Sequence, residues 1–178
     1  YRQQARLHLQ YPAMHHTDMF RETARMNYYF VAYAKTGAVM HQLEHLLGPE
    51  KFWKAMREYV ADWKYKHPYH HDLFNTFERV AGEDLDWYFR TWFYETWLLD
   101  QACAGVEDLP DGKSKVVIED RGNAPSPTRL RVTFEDGRTE LLEIPVSHWL
   151  SGHRRHAIEV GGKITQVELD PDRRTLDI

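Results

Sequence analysis

Cysteine is nearly absent: Cys103 is the only one in 178 residues. One thiol cannot close an internal disulfide, so no disulfide framework is implied and the compartment stays open. Long apolar runs are missing as well. No stretch of 18 apolar residues occurs, so hydropathy gives no transmembrane helix. Nor is there an excess of basic charge. The chain has 23 Lys and Arg against 27 Asp and Glu, a net charge of −4, and its basic residues are interspersed with acids. That balance suggests no nucleic-acid partner. A G-x-S-x-G elbow, a phosphate loop and a dinucleotide fingerprint are all lacking. The sequence opens at Tyr1 with neither an initiator Met nor a signal-peptide pattern, which reads as a piece of something longer.

Aromatic residues are plentiful and unevenly placed. They make up 13% of the chain, and five of the six Trp and all ten Tyr precede residue 98. Residues 1 to 100 carry helical periodicity. A first helix is expected from a Thr17-Asp18 cap through Met19, Phe20, Met26 and Tyr29. The next holds Val39, Met40, Leu43, Leu46 and Leu47 on one face and stops at Gly48. Pro49 suits the first turn of a third helix, with Phe52, Trp53, Met56, Tyr59, Val60 and Trp63 on one stripe, ending before Pro68. A fourth opens at Asp72, buries Phe74, Phe77 and Val80, and ends at Gly82. A fifth follows an Asp84 cap and buries Leu85, Phe89, Trp92 and Phe93. Short loops predict that neighbouring helices pack as hairpins.

Beyond Asp100 the period changes to two. Lys115 to Glu119 is a β-branched run, and Leu130, Val132 and Phe134 alternate with polar residues. Asp136-Gly137 signals a hairpin whose return strand is Thr139 to Ile144. A second hairpin is expected from His156 to Val160, a Gly161-Gly162 turn, and Ile164 to Leu169. About five to seven short strands imply a small β-sandwich. Gly105, Pro110 and Gly112 place the boundary between the halves near residues 100 to 112. The expected fold class is α+β with segregated parts: residues 1–100 helical, residues 101–178 a β-sandwich.

Between residues 28 and 100 a family becomes visible. Tyr33-Ala34-Lys35-Thr36-Gly37-Ala38-Val39-Met40-His41-Gln42-Leu43, running on to Leu47-Gly48, resembles the M1 peptidase helix written Y-x-K-G-x-x-V-L-x-x-L. Phe52 to Tyr59, Lys64 to Pro68, Asp72 to Phe74 and Gly82 to Tyr94 follow in the family's order. Ordered agreement over such a length is far more specific than one short motif. The departure is Thr36, where the family more often has Gly, with Gly37 one place later.

The resemblance implies the C-terminal part of a gluzincin, a zinc aminopeptidase of the M1 type. In that family H-E-x-x-H and a Glu from the following helix hold the zinc, with a position open for water and the scissile carbonyl. A Tyr at the start of the Y-x-K helix hydrogen-bonds the developing oxyanion, and the matching position is Tyr33. A neutral phenol suits charge that appears only in the transition state. Read from the residues alone, Tyr33 is a core aromatic in a Tyr-rich helix start beside Tyr28, Tyr29 and Phe30, and the catalytic role rests on the resemblance. Neither H-E-x-x-H nor the exopeptidase G-x-M-E-N occurs here. The expectation is therefore zinc in the parent enzyme, none in this chain, and no activity in isolation. The implied partners are the rest of the M1 catalytic domain and a peptide substrate. An exported or membrane-associated parent is plausible by the same resemblance.

Two other readings stay open. His41-Gln42-Leu43-Glu44-His45 fits H-x-x-E-H, the inverted zinc motif, with His41 and His45 on one helix face and Glu44 as a base. Against it, no third ligand is obvious, the flanks follow the M1 pattern, and the apolar stripe leaves 41, 44 and 45 on the polar side. The remaining histidine groups, His15-His16, His67 with His70-His71, and His148, His153 and His156, read as surface or capping residues. Cys103, in Ala-Cys-Ala-Gly, reads as a small structural residue. From a different class comes a non-catalytic M1-like module that uses the aromatic-rich stretch from Trp87 to Trp97 as an interface.

Overall fold

The structure is a computed structural model and describes residues 1–7, 10–20 and 25–178. Two compact units divide the chain, Tyr1–Thr96 and Trp97–Ile178. The first is helical and the second is built of two antiparallel sheets, so the fold is α+β.

The helical unit begins with α1 (Arg2–Arg6). A helix running on from Thr17 is not what forms. Thr17–Met19 make a single 3₁₀ turn and Phe20 is extended. The Phe20 ring packs at 5.3 Å from Tyr11 and 5.6 Å from Tyr28, so aromatic contacts add to the short 3₁₀ hydrogen bonds of this turn. Residues 21–24, through which that helix was expected to pass, lie outside the described residues.

Helix α2 (Arg25–Tyr29) passes into a π-helical segment (Phe30–Lys35) and then into α3 (Thr36–Leu47). Such wide turns recur at functional positions. Here Thr36 supports the turn: its Oγ1 donates to the Val31 carbonyl at 2.9 Å. Gly48, at φ 79°, ends α3, and Pro49 begins α4 (Pro49–Trp63) as the sequence predicts.

Along α4 the buried positions are Phe52 and Ala55, while Trp53 and Val60 are 48% and 55% exposed. The stripe is thus narrower than expected, because positions 53 and 60 fall on its flank. Helix α5 (His70–Ala81) starts two residues before Asp72, whose carboxylate accepts the backbone N–H of Tyr69 at 2.7 Å. Asp72 is therefore the third helical residue reaching back to the cap. Gly82 closes α5 in the left-handed region.

Helix α6 (Asp86–Phe89) runs into a second π-helical segment (Arg90–Tyr94). Leu85, Phe89, Trp92 and Phe93 are buried as the sequence predicts. Phe74 stacks on Phe89 at 4.1 Å, and Phe52 meets Phe77 at 5.4 Å. Tyr88 is fully buried, and its hydroxyl donates to the Val39 carbonyl of α3 at 2.7 Å. Since α3 packs on α4 and α4 on α5, the expected helical hairpins are present.

The second unit holds β1 (Gln101–Asp108), β2 (Lys113–Asp120), β3 (Thr128–Phe134), β4 (Thr139–Ile144), α7 (Val146–Leu150), β5 (Arg155–Gly161) and β6 (Ile164–Leu169). One sheet has the order β1-β2-β5 and the other β4-β3-β6. Val116, Ile118, Leu130, Val132, Phe134, Ile144, Trp149 and Val160 form the buried core between them. The β3–β4 hairpin turns at Asp136-Gly137 as expected.

Two expectations are corrected in this unit. Much of the stretch assigned to the boundary is strand β1, whose register slips between Cys103 and Gly105. That bulge absorbs a glycine that looked like a linker residue. The second correction concerns β5 and β6, which are not a hairpin. β5 pairs with β2, and β6 pairs with β3. Gly161-Gly162 instead carries the chain from one sheet to the other. At Gly162, with φ 117°, a Cβ would stand 3.1 Å from the Phe134 ring, so the corner needs glycine twice over.

Candidate functional site

Tyr33 lies on the π-helical segment and is 67% exposed. It is not a core aromatic. Its ring stacks on that of Tyr29, with centroids 6.0 Å apart and planes at 20°, one helical turn away. Two residues on, the side chain points the other way: Lys35 is buried, only 4% exposed. Its Nζ donates to the carbonyls of Tyr11 at 3.2 Å and Glu95 at 3.1 Å. No carboxylate is among these partners. Burial alone pulls the Lys35 ammonium down from 10.5 to about 8. The Y-x-K spacing thus puts an accessible phenol and a buried anchor on opposite sides of one wide turn.

His41 and His45 come together on α3. Their Nε2 atoms are 3.2 Å apart and their ring centroids 4.4 Å. Glu44 Oε2 lies 3.5 Å from His41 Nδ1, and Glu44 Oε1 accepts the Trp53 indole N–H at 2.8 Å. Sequence reasoning placed these residues on one face but could not see Trp53, nine positions further on, reaching the carboxylate.

The other histidines among the described residues lie at or near the surface, as the sequence suggests. His148, His153 and His156 form a real cluster, with His148 4.7 Å from His153 and 4.4 Å from His156 between ring centroids. Slight burial, followed by the neighbouring His148 and His153, lowers the His156 imidazole below its ordinary value. Cys103 is exposed on β1. Among the described residues one acidic trio, Glu78, Asp84 and Asp86, lies close enough to share an ion. Glu78 accepts the Leu85 N–H at 2.9 Å and Asp84 accepts the Asp86 N–H at 2.8 Å. Those bonds hold the backbone N–H groups at the start of α6, and they account for the trio.

A groove of about 440 Å³ opens along α5 and α6, lined by His71, Phe74, Trp87, Arg90 and Tyr94 among others. Among the described residues no helix is long and apolar enough to cross a membrane.

The chain is thus a helical unit followed in sequence by a six-stranded sandwich. Comparison with known proteins adds a likeness at the level of family and fold. Residues 7–92 match the Peptidase family M1 domain. Aminopeptidase N of Lactococcus lactis subsp. lactis is 32% identical over 62 residues, 35% of this chain and 7% of that protein. Probable aminopeptidase 2 of Sulfurisphaera tokodaii is 19% identical over 152 residues, covering 80% of this chain and 18% of that protein. The crystal structure of Legionella pneumophila aminopeptidase A in complex with aspartic acid shares the fold. Its TM-score is 0.59 at 17% identity, over 82% of this chain and 17% of that one. The chain resembles the M1 aminopeptidase-like proteins through residues 7–92, just under half of its length, and it spans less than a fifth of the length of each of these relatives.

Proposed function

We propose that this chain is the C-terminal part of a zinc-dependent M1-like aminopeptidase, which hydrolyses the N-terminal peptide bond of its substrate. Tyr33 is its contribution to the chemistry. The observation that carries this reading is the accessibility of Tyr33 at the position the family resemblance marks, on a turn anchored from behind by Lys35. A phenol that is not spent in the core is free to donate its O–H to an oxyanion as charge develops there. Ordering the turn in advance means that no reorganisation is needed when the charge appears.

In such enzymes zinc activates the attacking water. This chain lacks the family's ligand set for that catalytic ion, because the sequence contains no H-E-x-x-H. Its ligands would come from the rest of the catalytic domain, which is the partner this reading requires. The helical unit would then form part of the cleft wall, and the chain alone would be inactive.

The test compares hydrolysis of an aminoacyl anilide by the protein in which this chain occurs with that by its Tyr33→Phe variant. Losing one oxyanion donor should lower kcat by about 10²–10³ with little change in KM or zinc content. An unaltered kcat would remove Tyr33 from the mechanism.

The groove along α5 and α6 favours a second reading, a non-catalytic M1-like interaction module. That reading expects the chain to associate through its aromatic surface. Sedimentation of the chain alone and of an Arg90→Glu variant separates the two, since a monomer in both cases leaves the groove without a partner of its own kind.

A further inference from the structure

The polar face of α3 carries a group of side chains that the reading above does not use. Two imidazole nitrogens bound 2.0–2.1 Å from one tetrahedral ion stand about 3.3–3.4 Å apart, whereas neighbouring positions of a square plane bring them to about 2.9 Å. His41 and His45 hold their Nε2 atoms 3.2 Å apart, one helical turn from each other. That separation is close to the tetrahedral spacing, and an ion would take the place of the hydrogen bond between the two rings and of its proton.

Glu44 has another place in this group. Its Oε2 faces Nδ1 of His41, the ring nitrogen away from His45. The two atoms lie at an ion-pair distance of 3.5 Å, from which the carboxylate would accept the Nδ1–H once an ion holds Nε2, the way ligating histidines are oriented. Its other oxygen is held by the Trp53 indole N–H from α4. This also explains why Trp53, on the flank of an otherwise apolar stripe, stays half exposed: its N–H is needed at the surface. Side chains from two helices thus form an ordered row, Trp53, Glu44, His41, His45.

We propose that His41 and His45 are a two-imidazole site for a divalent transition ion of the zinc class, with Glu44 a positioning residue held by Trp53. The remaining coordination positions face outward and are filled by water. Glu44 is neither a ligand nor a general base in this arrangement, so the site is a binding site and not a second peptidase centre. It is independent of Tyr33 and of the zinc of the parent enzyme.

The experiment is calorimetric titration of ZnCl2 into the chain at neutral pH. One equivalent is expected to bind, and His41→Ala and His45→Ala should each weaken it at least tenfold. His156→Ala serves as the control for the other histidine cluster and should leave that equivalent in place. Glu44→Gln should weaken binding by about 10- to 100-fold while both ligands remain, the usual effect of losing an outer-shell partner. Cobalt(II) in place of zinc should give the intense visible absorption of a four-coordinate ion. The proposal is overturned by an His45→Ala isotherm that matches the unaltered chain, by loss of binding in His156→Ala instead, or by the absence of zinc binding. Full affinity in Glu44→Gln, or a weak six-coordinate cobalt spectrum, would overturn the assigned geometry. Circular dichroism of each variant checks that the helices are kept.

Discussion

Lys35 Nζ donates to the carbonyl of Glu95 at 3.1 Å, and so ties the π-helical segment that bears Tyr33 to the residue just after the other π-helical segment. With a second bond to Tyr11, the ammonium joins three stretches of chain at one buried point.

This ammonium should leave a signature in alkaline unfolding. Burial lowers it from 10.5 to about 8, so between those values the unfolded chain binds a proton that the folded one does not. Stability contributed at this site therefore rises with pH across the window and is flat below it, by up to about 3 kcal/mol. Urea unfolding of the unaltered chain and of Lys35→Met, from pH 7 to 10.5, measures the difference. A constant difference over that range would show that Lys35 is not held as described.

Asp177 should act in the acid range with the opposite slope. Burial raises its carboxyl from 3.8 to about 6, against the lowering effect of N–H donors from Gln101 and Ile178. An acid raised on folding adds stability that is fully present below its unfolded value and is lost as pH climbs through about 6. Asp177→Asn should flatten the profile between pH 4 and 6. At pH 7 it should be more stable by about 1–2 kcal/mol, the linkage value discounted because the group is only partly buried. Thermal melts at four pH values decide it.

Gly122 should not tolerate a methyl group. A Cβ there would run into the Leu98 carbonyl and stand 2.8 Å from the Asp100 nitrogen, both backbone atoms with no freedom to move. Leu98 O already accepts the N–H groups of Asn123 and Ala124. Gly122→Ala is expected to cost about 3 kcal/mol in calorimetry. Gly105→Ala, where nothing lies within 4 Å, should cost less than about 1 kcal/mol. Equal costs would remove the steric argument.

A buried polar chain gives the fourth expectation. Thr128 Oγ1 donates to Gln101 Oε1 at 2.8 Å and accepts the Trp149 indole N–H at 3.1 Å. Thr128→Val keeps the shape and removes the bonds to Gln101 Oε1 and from the Trp149 indole N–H, while Gln101 Nε2 keeps its bond to the Ser126 carbonyl, at a cost of about 3 kcal/mol. Thr128→Ser should recover most of that, since the hydroxyl returns. If Val and Ser destabilise alike, packing rather than hydrogen bonding holds this corner.

Much of the helical unit was legible because its signals are local. Pro49 after Gly48, and Gly82 after a Phe-rich stripe, fix helix ends through backbone chemistry that one residue carries. The π-helical segments carry no such signal. The first is tied down by a contact far away in sequence, Lys35 with Glu95; the burial of Tyr88, whose hydroxyl reaches Val39, was not foreseen for the same reason. In the sandwich, alternation found β2, β3 and β4, while the bulge at Gly105 hid β1. Two adjacent glycines carry the same letters in a tight turn and in a corner between sheets. Which one forms is decided by Phe134 and by the pairing of β6 with β3, neither of which is local.

As for the candidate site, the order of family-like residues pointed to Tyr33, but its exposure could not be read from a run of aromatic neighbours. The His41 and His45 spacing was plain in the helix period. What orients the pair was not, because Trp53 belongs to another helix.

The corner at Gly161-Gly162 has a consequence for how the second unit comes into being. Two ready-made hairpins, β1–β2 and β3–β4, can each form as soon as their residues exist, yet each sheet is completed by a strand from the last part of the chain. Emerging from a ribosome, the unit would remain two separate ribbons until β5 and β6 arrive. Closure would then be a late event that depends on pairings between residues far apart in sequence.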